Sequence, residues 1–207
     1  MDSTFKVAPK RFSQILNILV FIPHLKIYYP VCHTFMIHKT EDLYYAVFEN
    51  LKVIAIRAGF DLNPSLLMSD FESGMRNAAK KSFKDINITG CYFHFTKCLF
   101  EKVASLGLRK SEHKKQPYSL ICYLQILVHC PKEKRKDLFD ELNNIFESED
   151  TRFKTFLNYF KNNWLNHPFL DNLFKAIEKN EDLEFIRKNN PCENFHQFLG
   201  KPLQLHH

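Results

Sequence analysis

The sequence lacks a run that could cross a membrane. Its most apolar stretch, Phe12 to Tyr29, is broken by Pro23, His24 and Lys26. A basic region followed by a clean apolar run is also missing, so nothing marks the chain for secretion. The cysteines, at 32, 91, 98, 122, 130 and 192, form no dense framework. That excludes a small disulfide scaffold and points to reduced thiols in a nuclear or cytoplasmic compartment. There is no internal repeat, no low-complexity tract and no clear linker. Tryptophan occurs once, so the 21 phenylalanines must fill the aromatic core.

What is present fits a globular protein. The chain has 207 residues, 45% of them hydrophobic, enough for one sizeable core with an insertion. The formal net charge of +6 suits a polyanion such as DNA, through phosphate neutralisation, without demanding one.

Residues 10 to 107 alternate between strand and helix patterns. Phe12 to Phe21 and Leu25 to Ile37 are rich in β-formers, and Pro23 and His24 mark a turn between them. This predicts an antiparallel pair. Thr40 is a candidate N-cap, with Glu41 and Asp42 in the first turn. Leu43, Val47, Leu51 and Ile54 then recur at helical spacing up to Gly59. A short apolar run around Leu66, Leu67 and Met68 ends at Asp70. Met75, Ala78, Ala79 and Phe83 mark a second helix, and Asn87 to Phe93 another strand. Phe95, Cys98, Leu99, Val103 and Leu106 mark a third helix, stopped at Gly107. This order implies an α/β fold with some parallel strands. From about 117 onward the chain reads as helical: Tyr118 to His129, Lys136 to Phe146 and Thr151 to Trp164. The run Lys132 to Lys136 reads as a solvated helix start.

Three carboxylates stand out. Asp2 opens Asp2-Ser3-Thr4-Phe5, ahead of the first strand pair. Asp70 lies where an apolar strand ends, the kind of position where open α/β sheets bind ligands. Glu193 begins the last helix. Each has a structural alternative: a frayed terminus for Asp2, a helix N-cap for Asp70, and for Glu193 a capping box with Asn190 and Pro191. Cys91 and His94, with two residues between them, could both ligate zinc. Alternatively, they are a buried cysteine and a capping or core histidine. Cys98, Cys192 and His196 are further candidate ligands.

These clusters follow one another in a familiar order. Asp2-Ser3-Thr4-Phe5-Lys6 comes first, then Ser69-Asp70-Phe71-Glu72 with Ala78-Ala79 and Phe83. Next come Gly90-Cys91-Tyr92-Phe93-His94-Phe95 with Gly107-Leu108, then Tyr159 with Trp164, and finally Asn189-Asn190 with Glu193 and His196. The chain resembles the transposase domain of Mutator-like elements (MULE) over nearly its whole length. The resemblance implies a ribonuclease H-like mixed sheet flanked by helices, with a mostly helical insertion before the last catalytic helix. It implies a single catalytic domain over 1–200. Within that, 1–110 is the α/β part, 111–186 the insertion and 187–200 the glutamate helix, leaving 201–207 as a tail. Asp2, Asp70 and Glu193 would be the Asp-Asp-Glu triad and would bind two Mg²⁺ or Mn²⁺ ions. Carboxylates suit such hard ions and thiols do not. The implied reaction is DNA strand cleavage and transfer, acting on transposon terminal repeats. The implied setting is nuclear or cytoplasmic, in a possible homo-oligomer, with no membrane partner. Cys91 and His94 would be a zinc or other second metal site, or a structural element. The pattern departs from the family in Ser3, where a glycine is usual. Met1 directly precedes Asp2, and Gly200 and Pro202 follow soon after the glutamate helix. Such short flanks imply a truncated catalytic domain whose own activity is open. The alternative is a catalytically inactive, transposon-derived DNA- or protein-binding protein.

Overall fold

The computed structural model describes residues 2–4 by their backbone, and residues 8–108, 116–146, 150–168 and 171 in full. Two compact units meet in sequence between Cys91 and Tyr92.

The first unit is mixed α/β. Strand β1 (Asp2–Thr4) pairs antiparallel with β2 (Gln14–Ile22), which pairs antiparallel with β3 (Ile27–Met36). The β2–β3 turn is closed by the Leu25 N–H donating to the Ile22 carbonyl and the Lys26 N–H to that of Pro23. Pro30 lies within β3, where the register with β2 shifts at Ile18/Leu19. Among the described strands β3 is at the sheet's edge, so a residue without an N–H is tolerated there. Helix α1 (Glu41–Arg57) follows, and the Thr40 hydroxyl caps it by accepting the Leu43 N–H at 3.4 Å. Gly59, at φ +88°, supplies the left-handed residue that ends this segment.

Strand β4 (Leu66–Ser69), helix α2 (Ser73–Ser82) and strand β5 (Asn87–Gly90) form a parallel crossover unit, with Leu66 opposite Asn87 and Ser69 opposite Gly90. The helix supplies the connection that two parallel strands need. Leu16 and Ile18 from β2, Met36 from β3, Tyr44 and Phe48 from α1, and Met75, Ala78 and Ala79 from α2 share one buried core. The alanines let α1 and α2 approach closely. So does Gly74, where an added Cβ would sit 3.3 Å from the Glu41 backbone nitrogen.

One boundary differs from the sequence expectation. The strand expected over 87–93 ends at Gly90, and α3 (Tyr92–Ser105) already holds Phe93 and His94 in its first turn. Burial of Phe95, Leu99 and Val103 at helical spacing decides the period.

The second unit is helical: α3, α4 (Gln116–Leu127), α5 (Lys132–Phe146) and α6 (Thr151–Phe160), the last running into a π-helical turn over Lys161–Leu165. Its centre is aromatic. Phe95 meets Trp164 edge-on at 4.9 Å between ring centres, and Phe139 stacks on Phe160 at 5.7 Å. Asp150 caps α6, accepting the Arg152 N–H at 2.8 Å.

The run Lys132–Lys136 does start a helix, but it is not wholly solvated. Arg135 is buried, donating through Nε to the Cys130 carbonyl and through Nη1 to Asp171 at 2.6 Å. Lys132 lies 3.0 Å from the other Asp171 oxygen. Burial pushes the Asp171 carboxyl up, but the hydrogen bonds and charges of Lys132 and Arg135 outweigh it and hold the group below its ordinary value. A lowered folded-state value means that the stabilisation is complete above the unfolded carboxyl's value, near 4, and is lost as pH falls through the folded one. Asp171→Asn should therefore cost about 2 kcal/mol at pH 7. That is below the range for a fully buried pair, because Asp171 is part-exposed. Urea unfolding should show the gap between wild type and variant narrowing as pH falls below about 4; a gap independent of pH would contradict the ion pair.

Candidate active site

Asp70 is the best-defined of the sequence-predicted site residues. It directly follows β4, at the carboxyl end of a parallel pair whose ladder continues one step further. The Cys91 N–H donates to the Ser69 carbonyl at 2.9 Å. Strand carboxyl ends of this kind open towards ligands. The side chain is half-buried, and its Oδ1 accepts the Glu72 N–H at 3.1 Å. This turn holds the carboxylate close to its own backbone. The N-cap alternative fails: Glu72 is the cap residue of α2, and no side chain caps that helix.

Arg76, one turn into α2, was not singled out by sequence. Burial lowers the tendency of its guanidinium to hold a proton, and the neighbouring Asp70 charge works against that loss. The part-buried Arg76 thus lies within the field of the Asp70 carboxylate. The spacing of six residues across a turn and a helix start carried no pattern that could have flagged it.

Asp2 lies on β1, directly opposite Asn17 of β2, and Asn17 is in turn opposite His33 of β3. Asn17 is fully buried, and its Oδ1 lies 2.6 Å from His33 Nδ1. Its Nδ2 has no hydrogen-bond partner among the described residues. A buried amide donor thus sits at the register position next to the candidate aspartate. In sequence Asn17 looked like one polar residue in an apolar strand. Glu193 lies outside the described residues, as do Cys192 and His196. The structure thus gives Asp2 a strand position and Asp70 a full environment.

Cys91 is fully buried just after β5, and His94 is half-buried in the first turn of α3. Cys98 lies further along α3. Burial first, then the Glu101 charge, push its thiol above its ordinary value, against a smaller opposing effect of Lys97. Among the described residues no three His, Cys, Asp or Glu side chains gather as a metal cluster. The five described cysteines form no disulfide with one another. No helix among the described residues is long and apolar enough to cross a membrane.

Carboxylate oxygens at a strand end have the chemistry that a hard divalent ion requires. Asp70 meets that test: of its oxygens, Oδ1 is engaged by a backbone N–H, an interaction that also steadies a ligating carboxylate. Comparison with known families matches residues 1–98, just under half of the chain, to the MULE transposase domain. No curated protein matches the chain.

Proposed function

We propose, from the match of residues 1–98 to the MULE transposase domain, that the chain is the catalytic domain of a cut-and-paste DNA transposase. The observation that carries the proposal is Asp70, fixed in a turn at the carboxyl end of a parallel strand inside the matched region.

In this reading the fold is ribonuclease H-like. Residues 111–186 form a helical insertion within a single domain, and 187–200 carry the third carboxylate. Asp2, Asp70 and Glu193 hold two Mg²⁺ or Mn²⁺ ions. Bound there, such ions stabilise charge on the entering and leaving oxygens of a phosphodiester under attack. The protein's part is positioning. Asp70 presents its carboxylate from a turn braced by the Glu72 N–H. Arg76 lies close enough to feel that carboxylate's charge and binds a DNA phosphate oxygen, a role suited to its planar fork. Water cleaves one strand, breaking the bond to the 3′ oxygen. The freed 3′-hydroxyl then attacks the target phosphorus in strand transfer, breaking that phosphorus's bond to the target strand's 3′ oxygen, which leaves as a hydroxyl. Cys91 and His94 either hold a second metal or fix the strand–helix junction. The substrate is transposon terminal repeat DNA, bound in the nucleus by a homo-oligomer.

Nicking of supercoiled DNA by the purified chain tests this. The expected result is conversion to open circles with Mg²⁺ or Mn²⁺, and none with excess chelator. DNA binding with no nicking in either metal would instead favour an inactive, transposon-derived binding protein.

A further inference from the structure

A buried polar chain runs from the three-stranded sheet to the Asp70 turn. Gln14 and Tyr44 are both fully buried. Gln14 Nε2 donates to the Tyr44 hydroxyl at 2.8 Å, and that hydroxyl donates to Glu72 Oε1 at 2.7 Å. The direction is forced. An amide nitrogen only donates and a carboxylate oxygen only accepts, so the tyrosine proton must point to Glu72. Lys39 Nζ lies 3.5 Å from the other oxygen, Oε2. With its side chain tied to α1 and to the segment before it, Glu72 presents its backbone N–H to Asp70. An acid two residues from the candidate ligand is thereby turned away from it and used as an anchor.

We propose that Tyr44 and Glu72 are positioning residues, which set the orientation of the Asp70 carboxylate towards a divalent ion. The proposal rests on the transposase reading of Asp70. An apolar core needs no hydroxyl at Tyr44. Burying one costs free energy unless it is paired, and here the hydroxyl joins Gln14 of the sheet to Glu72 of the Asp70 turn. Partners that orient a ligating carboxylate typically change metal affinity by about 10–100-fold when removed.

The test compares wild type with Tyr44→Phe, which keeps the ring and its packing. Two readouts apply: exchange of the Glu72 amide proton by NMR, and Mn²⁺ affinity by electron paramagnetic resonance. The expected result is exchange about tenfold faster at Glu72, with core amides of α1 unchanged, and Mn²⁺ binding about tenfold weaker. Glu72→Gln retains an acceptor for Tyr44 and should lose less affinity than Glu72→Ala. Unchanged exchange and affinity in Tyr44→Phe would overturn the positioning role, as would equal losses in Glu72→Gln and Glu72→Ala. If Tyr44→Phe destabilises the fold at large, the α1 amides report it, and the Gln/Ala comparison at position 72 decides. Wild-type protein that binds no Mn²⁺ would overturn the transposase reading itself, and this proposal with it.

Discussion

Asp70→Ala should abolish metal-dependent nicking, lowering the rate by about 10²–10³-fold or more, while leaving binding to the same DNA within about twofold. The magnitude follows from what is removed. A carboxylate that holds an ion against developing charge acts in the transition state, and losing one such preorganised group typically costs about two to three orders of magnitude. DNA affinity, by contrast, comes mainly from contacts between cationic side chains and phosphates. Removing one anion should not weaken those and, beside Arg76, could strengthen them slightly. The fold should survive, because Asp70 is part-exposed and its recorded hydrogen bond is to a turn N–H. Gel assays of nicking and filter binding on the same preparations check both halves. Equal nicking by variant and wild type would identify a contaminating nuclease.

Phe48→Ala should cost about 3–5 kcal/mol of stability, the usual range for emptying a fully buried aromatic site. Phe48 is fully buried in the middle of α1 and meets Phe83 at 5.5 Å between ring centres. The hole would lie between the helices that carry Tyr44 and the Asp70 turn, so collapse there would displace the site as well. A 1 Å displacement can cost about a hundredfold in rate. The prediction is a lower urea midpoint together with loss of nicking, both partly recovered in Phe48→Leu. A loss below about 1 kcal/mol would mean that this core is less well packed than described.

Much of this was legible in the sequence because period and punctuation agreed. Phe12–Phe21 and Leu25–Ile37 gave the hairpin through β-rich runs around Pro23. The Thr40 cap, the 3–4 spacing from Leu43 and the Gly59 stop bracketed α1. Leu66–Met68 ending at Asp70 placed a candidate ligand at a strand end, where the structure has it. What failed were features set by tertiary contact. β5 ends earlier than its local pattern predicts: Tyr92 and Phe93 favour strands locally, whereas packing of Phe95 and Leu99 draws them into α3. Arg135 looked like one of several solvated cations, and its carboxylate partner is 36 residues away. The pairing of Tyr44 with Glu72 spans 28 residues. Tyr44 reads as an ordinary core aromatic until its hydroxyl is followed.

Iron-mediated backbone cleavage tests whether Asp2, Asp70 and Glu193 converge on shared ions, as proposed. Fe²⁺ substituted for Mg²⁺, with ascorbate and peroxide, cuts the chain within a few ångströms of where it binds. Mass spectrometry should find cuts beside all three residues, suppressed together by excess Mg²⁺ and lost together in Asp70→Ala. Cuts confined to the neighbourhood of one carboxylate, or centred on Cys91 and His94, would contradict the account.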